Sequence, residues 1–323
     1  MKRSTGIALV GGALVGALAA SVVGTVRRHE AQSEASPLRT LDRPDGEQLL
    51  VETSDRARLA TVTNGSGPTI VLGHGWTSDM RSWRLVADRL VAAGWRVVSW
   101  DQRGHGGSTV GTEGFGVDQL GDDLAAVLNG LNLRGAIVAG HSMGGIGAQS
   151  FALRHPEVLA DRVRGLVLVG TLGRSVPTLP FPMIQSVLTS DGYERRKGSS
   201  SLLNRYLSLR AFGDDVAPSV VERNREIFLD CPTSTVLGAL EPILDFDLTG
   251  RLPTIDVPTL VLHGNRDRVV PLSRGQELER LIPDARLETL RGAGHMLPLE
   301  RPDGILHHLE RFSAELGAAH RVG

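Results

Sequence analysis

Six short segments, TIVLGHG, WRVVSWD, GAIVAGH, VRGLVLVGT, TLVLHGN and ARLETL, punctuate the chain, and all but the last are almost unbroken apolar runs. A strand with one wet face alternates apolar and polar residues, whereas a strand covered on both faces has no polar side to show. These runs therefore predict a mostly parallel central sheet buried from both sides. Between them, SWRLVADRLVAAG, VDQLGDDLAAVLNGL and MGGIGAQSFALRHP carry apolar residues three and four apart, the period of helices lying on such a sheet. Strand and helix in alternation place the chain in the α/β class, and 323 residues suffice for one large domain with an insertion.

The rhythm breaks between Leu172 and Asp256. There a proline-rich entry, RSVPTLPFPMI, precedes helical patterns around SLLNRYLSLRAF and SVVERNREIFLDC, and alternation resumes at VPTLVLHGNRD. The expected organisation is a core of residues 47–171 and 257–318, interrupted by a helical cap over 172–256. Residues 1–27 differ from everything else. Lys2 and Arg3 precede an uncharged run from Ser4 to Val26, about the length of a membrane-crossing helix. Ala17-Leu18-Ala19 also fits a small-residue signal cleavage site. The run predicts either an anchor or a cleaved signal, so the protein is expected to be membrane-anchored or exported, with residues 4–26 as the membrane-associating segment and polar residues 28–46 as a tether. Thirty-five basic against 36 acidic residues give no field that would recruit nucleic acid, and the single Cys231, read as a packing residue, excludes an intramolecular disulfide.

One apolar run leads directly into chemistry. GAIVAG passes through HSMG into GIGAQSFALRH, a strand, a turn and a helix, and Gly140-His141-Ser142-Met143-Gly144 fits G-x-S-x-G. In that context the serine sits on a strained turn at the strand's carboxyl end, and the glycines relieve the crowding around it. A serine hydroxyl needs a base, and the base needs a carboxylate to orient it. Asp267 in TLVLHGNRDRVVP and His295 in RGAGHMLPLERP each follow a predicted strand, and the order Ser142, Asp267, His295 goes with this turn. The competing histidines have structural readings: His74 precedes a glycine, His105 lies in a turn, His141 sits inside the serine turn and His263 lies within a buried-type strand. Asp245 and Asp247 are the alternate acids. No histidine and carboxylate cluster has ligand spacing, so neither metal nor cofactor is expected.

With HGW at 74–76, DQRGHGGS at 101–108, GNRDRVVP and GAGHMLPLE added, the chain from about Leu49 to the C-terminal helix resembles the α/β-hydrolase superfamily. The resemblance implies the α/β-hydrolase fold with an inserted cap, and an oxyanion hole made by the backbone N–H groups of Trp76 and Met143. It also implies that Asp101 orders the RGHG turn. The activity it implies is a serine hydrolase, a carboxylesterase or lipase working through an acyl-enzyme. An apolar cap, with Phe181, Met183 and Leu188 as pocket residues, would favour small to medium apolar esters as the partner. Other serine-triad chemistries on this fold, namely carbon-carbon hydrolase, thioesterase, acyltransferase and cofactor-free perhydrolase, share the same motifs. Serine at the turn argues against epoxide hydrolase, and an idle, ligand-binding version of the fold is the alternative of another class.

Overall fold

The computed structural model describes residues 23–27, 41–176, 208–214 and 216–319. Its centre is an eight-stranded sheet, ordered β1-β2-β4-β3-β5-β6-β7-β8. The strands are β1 (Glu47–Glu52), β2 (Arg58–Asn64), β3 (Thr69–Gly73), β4 (Arg96–Trp100), β5 (Ala136–His141), β6 (Val163–Val169), β7 (Thr259–Gly264) and β8 (Ala285–Leu290). From β3 onward neighbours are parallel, while β1 and β2 form a hairpin whose second strand runs antiparallel to β4. All six predicted segments are strands. The hairpin was not among them, because the edge strand EQLLVE is exposed except at Val51 and the interior strand RLATVTN, though buried from Leu59 to Val62, interleaves threonines with its apolar residues.

The unbroken apolar runs have the expected cause. On β3, Val71 faces one core while Ile70 and Leu72 face the other, and on β6 Leu166 and Leu168 oppose Val167 and Val169 in the same way. The first core is closed by α2 (Val117–Gly130), α3 (Met143–Arg154) and α4 (Pro156–Arg162), through Leu124, Leu128, Phe151 and Leu159. The second is closed by α1 (Arg84–Ala92) and α9 (Pro302–Ala319), through Val86, Leu90, Ile305, Leu309 and Phe312. Helix α7 (Leu272–Leu281) follows β7, and the one-turn α8 (Leu297–Glu300) precedes α9.

Between β6 and β7 lie α5 (Pro218–Asp230) and α6 (Thr233–Leu244). They rest on the loops at the carboxyl ends of the strands: the Trp76 indole donates to the Val236 carbonyl at 3.0 Å, Thr235 Oγ1 donates to the Gly104 carbonyl at 2.8 Å, and Arg81 pairs with Asp230 at 2.8 Å. Among the described residues no single helix is long and apolar enough to cross a membrane, and residues 1–22 lie outside them. The tether expected over 28–46 is corrected at its end. Leu41 is buried against Phe212, Met296 and Leu299, and Arg43 pairs with the buried Asp101 at 2.8 Å, so an apolar contact and an ion pair bind residues 41–43 to the core.

Candidate active site

Strand β5 ends at His141 and α3 starts at Met143, leaving Ser142 alone to reverse the chain, with φ 51° and ψ −115°. Positive φ in a non-glycine residue stores strain of about 1–3 kcal/mol and persists only where the surroundings over-determine it. Here the Ser142 N–H donates to the Val169 carbonyl at 2.9 Å, while the Ser142 carbonyl accepts from Thr171 Oγ1 at 2.7 Å and from the Gly145 N–H at 2.9 Å. The flanking glycines are required by space. A Cβ on Gly140 would collide with the Gly144 carbonyl, and one on Gly144 would lie 2.5 Å from the Gly73 carbonyl oxygen. The Gly144 N–H donates to the His74 carbonyl at 2.9 Å, locking the helix start to the loop after β3.

His295 lies in the loop after β8, and Asp267 in the loop after β7. The His295 ring spans the gap between serine and acid: Nδ1 donates to Asp267 Oδ2 at 2.9 Å, and Nε2 stands 3.1 Å from Ser142 Oγ, placed to accept its proton. Asp267 has no exposed side-chain surface, and its other oxygen accepts from the Val269 and Val270 amides, both at 2.8 Å. Burial works against the charge, but His295 and the two amides outweigh it and hold the carboxyl below its ordinary range. An ionised acceptor fixes the tautomer in which His295 Nδ1 carries hydrogen and Nε2 is free to act as a base.

The competing histidines are bound into the frame. Nδ1 of His74 donates to the Gly75 carbonyl at 2.7 Å, and Nε2 accepts from the Gln102 amide at 2.9 Å, joining the ends of β3 and β4. Nδ1 of His105 donates to the Arg103 carbonyl, and Nε2 of His263 to the Val270 carbonyl, each at 2.9 Å. His141 Nε2 donates to the carbonyl of His295 itself at 2.9 Å, and the two rings lie 4.9 Å apart. Burial pushes His105 and His141 down to about 3, the latter helped by repulsion from His295, so both are neutral. Asp101 accepts from the Met80 and Gly107 amides at 2.8 Å, which orders the RGHG turn. Asp245 is exposed, and Asp247 accepts from the Thr249 amide at 2.8 Å, whereas the carboxylate hydrogen-bonded to His295 is that of Asp267.

The two amides proposed for the oxyanion hole converge on the same turn. Met143 opens α3, where first-turn N–H groups have no partner inside the helix. Trp76 follows Gly75, whose backbone passes so close to the elbow that a Cβ there would sit 3.0 Å from His141 Nδ1 and 3.3 Å from Ser142 Cβ. Their side chains pack with Phe115, Leu120, Ala239 and Ile243, an apolar cluster beside the serine. Phe115 and Ile243 had no motif to mark them; they reach this cluster from a loop and from α6. Phe181, Met183 and Leu188, the expected pocket residues, lie outside the described residues. A separate cavity of about 400 Å³ is lined by Asp42, Arg43, Ser78, Asp79, Arg81 and Cys231 among others. It contains none of Ser142, Asp267 and His295, and its paired charges suit an apolar ester poorly. Among the described residues no group of three or more histidine, cysteine or acidic side chains could hold a metal.

The alpha/beta hydrolase fold family matches residues 68–302. A non-heme chloroperoxidase of Kitasatospora aureofaciens is 31% identical over 268 residues, which is 78% of this chain and 92% of that protein. A bifunctional esterase/perhydrolase of Acinetobacter calcoaceticus is 28% identical over 261 residues, 76% of this chain and 91% of its own. Among solved structures, a thermophilic esterase from Thermogutta terrifontis superposes with a TM-score of 0.72 at 26% identity, covering 84% of this chain and 99% of that one. The family match spans strands β3 to β8 and every element that carries Ser142, Asp267 and His295, and the chain belongs to the alpha/beta hydrolase fold family.

Proposed function

We propose that the protein hydrolyses carboxylic esters through an acyl-enzyme on Ser142. The observation that carries this reading is the continuous chain from Asp267 through His295 to a strained serine, at 2.9 and 3.1 Å. His295 Nε2 takes the Ser142 proton as Oγ attacks the ester carbonyl, and the oxygen's new charge lies against the Trp76 and Met143 amides. Preorganised donors of this kind contribute about two to three powers of ten each. The imidazolium, stabilised by Asp267, then protonates the departing alcohol. Water, deprotonated by the same nitrogen, releases the acid and regenerates Ser142. The apolar cluster of Trp76, Phe115, Met143 and Ile243 favours small to medium apolar acyl groups, and named esterases among the relatives support the reaction class.

Steady-state hydrolysis of p-nitrophenyl esters from acetyl to dodecanoyl tests the reading. Ser142→Ala is expected to lower kcat by at least about 10⁴-fold and to abolish labelling by a fluorophosphonate. A variant as active as wild type would overturn the mechanism. The chloroperoxidase and perhydrolase relatives favour one second outcome, attack on the acyl-enzyme by hydrogen peroxide instead of water, which releases a peracid and frees the serine. Peracid formation from the same esters in peroxide distinguishes the two. Residues 4–26 are proposed to attach the protein to a membrane or direct its export, a reading supported by their uncharged run. Sequencing the mature N-terminus and fractionating cells tests it; a full-length N-terminus on unattached protein would sink both forms.

A further inference from the structure

The loop that carries His295 is held by one side chain that the reaction does not use. Glu300 Oε2 accepts two backbone N–H groups at once, from Gly294 at 2.9 Å and from Gly213 at 2.8 Å. Gly294 is the residue immediately before His295, and Gly213 lies within the insertion between β6 and β7, a few residues ahead of α5. The same segment makes the reverse connection: the Ala211 carbonyl accepts from the amides of His295 at 2.8 Å and Met296 at 3.2 Å. The backbones of Gly213 and Gly294 lie too close for a Cβ on either, so this contact has no slack. On its far side the His295 carbonyl accepts from His141 Nε2.

We infer that Glu300 is a positioning residue for His295, a clamp whose single oxygen ties the base's loop to the insertion and sets the ring's reach between Asp267 and Ser142. The inference rests on the proposed role of His295 as base. Burial raises the Glu300 carboxyl above its ordinary range, and Oε1 is buried with no hydrogen-bond partner among the described residues. A group held only for its charge would be a poor choice for such a place. What the geometry uses is the acceptor oxygen at the right length.

Two substitutions separate length from charge. Glu300→Asp keeps the carboxylate and withdraws it from the two amides by one methylene, whereas Glu300→Gln keeps an acceptor oxygen in place and removes the charge. With the full chain and p-nitrophenyl butyrate, Glu300→Asp is expected to lower kcat about 10- to 100-fold at a KM within about twofold, the range a displacement of about 1 Å at a reacting group produces. Glu300→Gln is expected to recover kcat to within about threefold of wild type. The proton between His295 Nδ1 and Asp267, followed by NMR in the downfield region, should persist in wild type and Glu300→Gln and shift or broaden in Glu300→Asp. Wild-type kcat in Glu300→Asp, an equal loss in both variants, or a loss confined to KM would each overturn the clamp. An unperturbed downfield proton in Glu300→Asp would do so as well. Because that resonance reports the histidine and aspartate without any turnover, it still decides the clamp if Ser142→Ala or the ester assay overturns the hydrolase reading.

Discussion

His141 and His105 are buried as neutral rings, and each therefore links stability to pH. Their folded values of about 3 lie below the ordinary histidine value of 6.5. Between those limits the unfolded chain binds protons that the native state refuses, so the native state loses stability as pH falls from about 6.5 toward 3, and keeps it in full above that window. Each ring contributes a slope approaching about 1.4 kcal/mol per pH unit. Asp101 and Glu300, whose carboxyls burial raises, act with the opposite sign, so a single substitution is the cleaner measurement. His141→Gln, which keeps a donor toward the His295 carbonyl, is expected to flatten the dependence of urea-unfolding free energy between pH 6.5 and 4.5 by about 1.4 kcal/mol per unit. An unchanged slope would show that His141 titrates normally. At this scale Ser142, Asp267 and His295 were legible because each follows a strand and the turn around the serine has its own spacing. Glu300 was in plain view in GAGHMLPLE, but nothing in a sequence reveals which two amides a carboxylate will join across 87 residues.

At the scale of elements, strand β5, its turn and helix α3 act as one part, and two glycines of α3 show what it tolerates. A Cβ on Gly144 would lie 2.5 Å from the Gly73 oxygen and 2.7 Å from the His74 oxygen, both backbone, so α3 would have to back away from β3 and take the Met143 amide with it. Gly147, one turn on, would place its Cβ 3.2 Å from Leu120 Cβ, a contact that a small shift of α2 relieves. Gly144→Ala is expected to cost about 1–3 kcal/mol, as overpacking does, and to lower kcat at least about 100-fold through the displaced oxyanion donor. Gly147→Ala gains helix propensity of about 1 kcal/mol against its crowding and should leave both stability and kcat close to wild type. Thermal unfolding and ester hydrolysis on the two variants check the pair; equal behaviour would mean that the helix start is not locked to the loop. The parallel strands were readable because double burial leaves an unbroken apolar signature. The β1–β2 hairpin was not, since Leu49 and Leu50 stand exposed on an edge strand and interrupt any alternation.

Over the whole molecule, the insertion is bound to both halves of the site. It holds the loop after β3 through Trp76 and Val236, and the loop that carries His295 through Ala211 and Gly213. The N-terminal approach joins the same assembly, which the composition of a polar tether concealed. Leu41 shares a cluster with Phe212, Val216 and Val221 from the insertion and with Met296 and Leu299 beside His295. Arg43 supplies the guanidinium facing the wholly buried Asp101, and its carbonyl accepts from Arg84 at 2.7 Å. A chain beginning at residue 47 would lose all of this while keeping every strand, whereas one beginning at residue 41 would keep it. Losing the buried leucine alone costs about 1.5–3 kcal/mol. Asp101, left with the Met80 and Gly107 amides but without its guanidinium, adds to that, by less than a fully buried pair would because Arg43 is 39% exposed. The shorter chain is expected to melt about 5–15 °C below the longer one, taking roughly 2–4 °C per kcal/mol for a domain of this size. Its kcat should also fall, because the cluster that loses Leu41 is the one beneath Met296, adjacent to the proposed base. Equal melting temperatures would make residues 41–46 a passive tether after all. A lower melting temperature with unchanged kcat would confine the docking to stability and leave the base's loop held by Glu300, Ala211 and His141 alone.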